Sequence, residues 1–96
     1  MQFIVIARDY KDALQRRLAV REKHVKLGDK MVTAGNALYG VALLDDKGRM
    51  TGSVYIVDFS DRVELDAWLK EEPYVVGKVW KNRNYSGVNP NSLLTF

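Results

Sequence analysis

From about Asp12 to Ala34 the apolar residues recur with a helical period, and a helix this long dictates most of what a 96-residue chain can become. At ~100° per residue, Gln15, Arg16, Glu22, Lys23, Lys26, Asp29 and Lys30 gather on one half of the wheel, the solvated face. Ala13, Leu14, Leu18, Val20, Val25, Leu27, Met31 and Val32 take the other half and are expected to face a core. Arg17, Arg21 and His24 break this segregation by falling within the apolar arc. Unpaired buried charge is costly, so such residues need internal partners or a solvent-filled pocket. The stripe therefore reads as the floor of a site.

The flanking segments complete a topology. Phe3–Ala7 is an apolar, β-branched run, the pattern of a strand buried on both faces. Asp9 or Asp12 is the expected cap of the helix, which ends at Gly35-Asn36. A second strand is expected at about Ala37–Leu44, then a tight turn at Asp45–Arg49 with Gly48 at positive φ, then a third strand at about Gly52–Phe59. Ser60 is the expected cap of a second helix, with Val63, Leu65, Ala67, Trp68 and Leu69 inside, which Glu72-Pro73 ends. A short turn from Tyr74 then feeds a fourth strand reaching about Asn84, and the tail beyond Tyr85 is expected to be irregular, with Leu93, Leu94 and Phe96 docking back.

The order β-α-β-β-α-β defines an α+β, ferredoxin-like fold with a four-stranded antiparallel sheet and two helices on one face. One domain over residues 1–96 is expected. Both faces of the strands carry apolar residues, so the uncovered face predicts a homodimer formed through the open sheet.

Composition narrows the function. There is no cysteine, which excludes thiolate chemistry and fits a reducing, cytoplasmic setting. No apolar run approaches the ~18 residues of a membrane span, and a net charge of +3 with no basic block argues against nucleic acid. Phosphate-binding glycine loops, a serine nucleophile elbow and metal-ligand spacings are missing, so no cofactor or metal is expected.

His24 is the only histidine. Flanking cations favour a neutral imidazole, the form that accepts a proton, and Arg17 and Arg21 are candidates to bind a small anionic organic substrate. A base needs an orienting acid, for which Asp9, Asp58, Glu71 and Glu72 all qualify by spacing.

Three segments, Arg17-Leu-Ala-Val-Arg21-x-x-His24, Leu43-Leu44-Asp45-Asp46-x-Gly48-x-Met50-x-Gly52-Ser53 and Ala67-Trp68-x4-Pro73-Tyr74, resemble the YCII-related (YciI-like) proteins over nearly the whole chain. The resemblance implies a dimeric α/β barrel and a site centred on a His–Asp pair. One member eliminates chloride from a hydroxylated ring. Carried over, the histidine is His24, the arginine Arg21, and the aspartate falls on Glu72, one methylene longer. A second departure is Gly40-Val41, where many members have Gly-Pro.

Together these readings give His24 and Glu72 as the catalytic pair, with Arg17, Arg21, Tyr74 and Ser53 as substrate contacts. The chemistry expected is cofactor-free elimination or isomerisation, with Asp9 as the alternative orienting acid. A non-catalytic module that binds a small acid, or a structural dimer whose Arg/His stripe pairs internally, are the alternatives.

Overall fold

The computed structural model describes residues 1–88. The expected docking of Leu93, Leu94 and Phe96 lies outside these residues. The elements run β1 (Gln2–Asp9), α1 (Leu14–Thr33), β2 (Ala37–Leu44), β3 (Met50–Asp58), α2 (Arg62–Glu71), α3 (Pro73–Val76) and β4 (Trp80–Val88). All pairings are antiparallel and the strand order is β2-β3-β1-β4. This is the ferredoxin-like α+β fold of the dimeric α/β barrel type.

Because side chains alternate across a strand, Phe3, Val5 and Ala7 point from β1 into the core, where Val57, Leu65, Leu69, Val79 and Trp80 meet them. Ile4 and Ile6 point the other way and are only half-buried, as are their register partners Ile56 and Val54. β1 is therefore buried on one face rather than both.

The inward face of α1 also differs from the expected arc. Ala13, Arg17 and Met31 are buried, His24 is half-buried, and Val20 and Leu27 pack on the core. The spacings 4, 3, 4, 3, 4 trace a narrow seam. Leu18, Val25 and Val32, each one place beyond that seam, turn out to be exposed, Val32 by 63%. A wheel cannot tell the centre of an apolar arc from its edge, and here only the centre packs on the core, while Val25 and Val32 face the gap between α1 and β2.

Caps differ in detail. The N-cap of α1 is Ala13 with no side-chain bond: neither Asp9, which binds Arg17, nor Asp12, at φ 58°, caps the helix. Asp61 rather than Ser60 caps α2, accepting from the Glu64 N–H at 3.0 Å, and Val63 lies in the solvent. The β2–β3 turn forms as its sequence dictates: Gly48 sits at φ 76°, and Asp45 Oδ1 accepts the N–H groups of Lys47 and Arg49. After α2 the chain makes a further turn of helix, α3, where the sequence predicts a plain turn.

Candidate active site

Glu72 stands at the joint between α2 and α3, and the proline that follows fixes how it stands. A residue before proline is driven out of the helical region. Glu72 accordingly has φ −59° and ψ 121°, which ends α2, while Pro73 at the first position of α3 needs no N–H partner. The bend turns the Glu72 side chain inward, where it is 1% exposed. Its Oε1 accepts from the backbone N–H of Tyr74 at 3.2 Å and meets Nδ1 of His24.

The partner on α1 is held from three sides. With Nδ1–H given to Glu72, the other imidazole nitrogen presents a lone pair, and the hydroxyl of Tyr55 on β3 donates to it (Oη to Nε2, 2.9 Å). Tyr74 stacks against the imidazole, with ring centroids 3.8 Å apart and planes 11° from parallel. Carboxylate, imidazole and phenol thus form one line, Glu72–His24–Tyr55, across three elements.

Tyr55 reaches His24 because nothing stands in its way on β2. A Cβ at Gly40 would lie 2.5 Å from Cδ1 and 2.6 Å from Cε1 of the Tyr55 ring. Trp68 meets the ring edge-on and Trp80 at a tilt, at 6.2 and 5.9 Å between centroids. Burial pushes the Tyr55 phenol well above the ordinary tyrosine value, and the nearby Glu72 carboxylate adds to the rise. Tyr74 is raised as well, chiefly by burial, with Arg17 and Arg21 pulling the other way.

Arg17 and Ser53 take other roles than the substrate contacts expected of them. Arg17 is 2% exposed, and its Nη1 binds both carboxylate oxygens of Asp9 at 3.1 and 2.8 Å. Its Nη2 donates to Ser53 Oγ at 2.8 Å and to the Gly52 carbonyl at 3.3 Å. Ser53 is fully buried. The guanidinium also lies 4.7 Å from the centre of the Tyr74 ring. Two helical turns separate Arg17 from His24, roughly 10 Å, and the Tyr74 ring packs against both. Burial raises the Asp9 carboxyl, and Arg17 draws it back only in part.

Asp9 is thereby removed as an orienting acid for His24. Asp58 pairs with the Met1 amino group at 3.0 Å, and Glu71 is exposed. Arg21 is exposed as well, and its charge reaches the Tyr74 phenol. Tyr74, expected to touch substrate, is 2% exposed and acts as a wall behind His24.

A cleft of about 370 Å³ opens between α1 and β2, lined by His24, Val25, Gly28, Val32, Tyr39 and Tyr55 among others. Gly28 has nothing within 4 Å of its missing Cβ, so the helix is thinned where the cleft runs beside it. The lining holds one acid, Asp29, and no cation. The sequence reading missed Tyr55 and the cleft. Gly40 inside a strand was the available signal, since a glycine there marks close approach by another group.

Among the described residues no cluster of three His, Asp or Glu could hold a metal, and no helix is long and apolar enough to cross a membrane. The fold and the Glu72–His24–Tyr55 line define a small ferredoxin-like protein with an imidazole-centred cleft. By sequence, the chain belongs to the YCII-related domain family, whose model matches residues 1–88. Relatives include an uncharacterized protein of Haemophilus influenzae, 29% identical over 83% of this chain and 88% of the relative, and Protein YciI of Escherichia coli, 28% identical over 85% and 90%.

Solved structures of similar fold include a 5-chloro-2-hydroxyhydroquinone dehydrochlorinase from Burkholderia phenoliruptrix in complex with 2,5-dihydroxybenzoquinone. Its TM-score is 0.83 at 18% identity, covering 93% of this chain and 94% of that one. An antibiotic biosynthesis monooxygenase has a TM-score of 0.52 at 15% identity, covering 93% and 98%.

Proposed function

We propose that this protein is a small-molecule enzyme that moves a proton with no cofactor, using His24 as base and Glu72 as the group that orients and charge-stabilises it. The observation that carries the reading is the carboxylate–imidazole–phenol line ending at an open cleft. Glu72 fixes the tautomer and offsets the positive charge that appears on the ring as it takes a proton. Burial keeps that electrostatic pairing strong, which favours charge separation during the reaction. The similar fold of a dehydrochlorinase supports an elimination, in which a carbon loses its proton and then a leaving group.

The substrate is a small organic molecule whose acidic C–H adjoins an oxygen, because a lone imidazole base needs a carbon acid of that kind. An apolar cleft wall with Tyr39 suits a flat, ring-like body. With Arg17 committed to Asp9 and no cation lining the cleft, a substrate charge would have to reach beyond the cleft to Arg21, one helical turn before His24. The half-buried open face of the sheet, with Ile4, Ile6, Val54 and Ile56, supports a homodimer, to be checked by sedimentation.

The test offers 4-chlorobutan-2-one, cyclohexanone, acetophenone and pyruvate in D2O. Chloride release is followed for the first and deuterium incorporation for the others. Catalysis by the native protein that His24→Ala abolishes, with fold intact, is the expected result. A rate unchanged by His24→Ala, or no compound processed while none shifts the His24 NMR signals, overturns it.

A further inference from the structure

Both nitrogens of the His24 imidazole are already bonded within the protein: Nδ1 to Glu72 and Nε2 to Tyr55. A substrate that reached Nε2 directly would first have to displace the Tyr55 hydroxyl. The ring bearing that hydroxyl is hemmed in by Trp68, Trp80 and the backbone at Gly40, so swinging aside is opposed by packing on several sides. The phenolic oxygen, by contrast, still has acceptor capacity. It donates its one hydrogen to His24, and with Ser53 also bonding to it one lone pair remains for another donor. Tyr55 lines the cleft together with His24.

Resting on the acid–base reading above, we infer that Tyr55 is the catalytic residue that meets the substrate, and that it relays the substrate's proton to His24. The substrate C–H bond breaks as an O–H bond forms at Tyr55 Oη. In the same step the phenol's original O–H breaks and an N–H forms at His24 Nε2. The electron pair of the C–H bond stays on the substrate, as an enolate or by expelling a leaving group. One proton enters and one leaves Tyr55, so the phenol ends as it began. The new positive charge rests on an imidazolium facing the Glu72 carboxylate. Burial disfavours a free phenolate, so the two transfers are coupled rather than sequential.

The relay also accounts for Gly40. A side chain there would occupy the space of the Tyr55 ring and pull the hydroxyl from Nε2. The role of Glu72 becomes that of a counter-charge one group removed from the substrate.

The experiment uses the full chain and the substrate panel above, comparing native protein, Tyr55→Phe and His24→Ala. The expected result is a fall of about 10²- to 10⁴-fold for Tyr55→Phe, the size of a general acid–base contribution. The native rate should show a substrate C–D isotope effect together with a solvent isotope effect that is linear in the D2O fraction, since one carbon-bound and one exchangeable proton move in the same step. Site-specific 3,5-difluorotyrosine at position 55 preserves the ring and makes the phenol more acidic, so a relay changes its pH–rate profile. A residue that only holds His24 in place carries no proton in flight and would leave the reaction without that solvent isotope effect. Native activity in Tyr55→Phe alongside an inactive His24→Ala overturns the relay and leaves His24 as the direct base. An active His24→Ala overturns the acid–base reading itself.

Discussion

Tyr74 lies flat against His24, with ring centroids 3.8 Å apart, and its own backbone N–H is bonded to the carboxylate that binds the imidazole. A two-residue step along the chain, Glu72 to Tyr74, therefore holds the imidazole both in its plane and along its face. Pro73 sits between them and sets the bend. Ring protons of His24 over the Tyr74 face should resonate upfield of free histidine. Tyr74→Leu should remove that displacement, whereas Tyr74→Phe should keep it; equal spectra for the two variants would contradict the stack.

Arg17 and Arg21 should separate cleanly in stability. Arg17→Ala leaves Asp9 buried without its partner, a loss of about 3–5 kcal/mol. At this chain length each kcal/mol lowers the melting temperature by about 4–8 °C. Arg17→Met with Asp9→Leu removes both charges and should recover much of the loss. Arg21→Ala, on an exposed site, should stay within about 0.5 kcal/mol of the native protein. Thermal melts of the three variants decide this, and an Arg17→Ala melt equal to native would refute the ion pair's role.

Two glycines should respond in opposite ways to the same added methyl group. Gly40→Ala drives a Cβ into the Tyr55 ring, and overpacking of that kind costs about 1–3 kcal/mol. Gly28→Ala meets nothing and replaces a glycine inside a helix, which should stabilise by about 0.5–1 kcal/mol. Denaturant unfolding of both variants measures the signs. The Gly28 variant should also narrow the cleft and weaken binding of any ligand seated there.

Alkaline pH should weaken the fold through its buried phenols. The values of Tyr55 and Tyr74 lie above the ordinary tyrosine value of 10.0. Between that value and their own, the unfolded chain has lost protons that the folded chain still holds. Their contribution to stability is thus complete below about pH 10 and is lost as pH rises through the folded values. Tyrosinate absorbance near pH 11 should rise further when denaturant is added, and Tyr55→Phe should reduce that increment. A titration identical in folded and unfolded protein would argue against buried phenols.

Much of this architecture is written in local sequence. The order of strands and helices follows from periodicity and turn residues, which act over a few neighbours: Gly48 makes its turn and Pro73 ends α2 wherever the rest of the chain lies. The same locality puts Arg17 and His24 on one stripe of α1, because a helix repeats every 3.6 residues. Sequence also left Glu72 as one of four acids able to face His24, and could go no further from spacing.

Tertiary structure decided the rest. Which acid meets His24 depends on how α2 and α3 lie against α1, and that placement gives Glu72 to the imidazole and Asp9 to Arg17. Whether an apolar residue of α1 is buried depends on what packs against it, which leaves Leu18, Val25 and Val32 exposed, the two valines along the cleft. Tyr55 reaches Nε2 only because the β2–β3 register sets Gly40 opposite it. Contacts between residues 31 positions apart, as for Tyr55 and His24, arise from chain packing, and no local period encodes them.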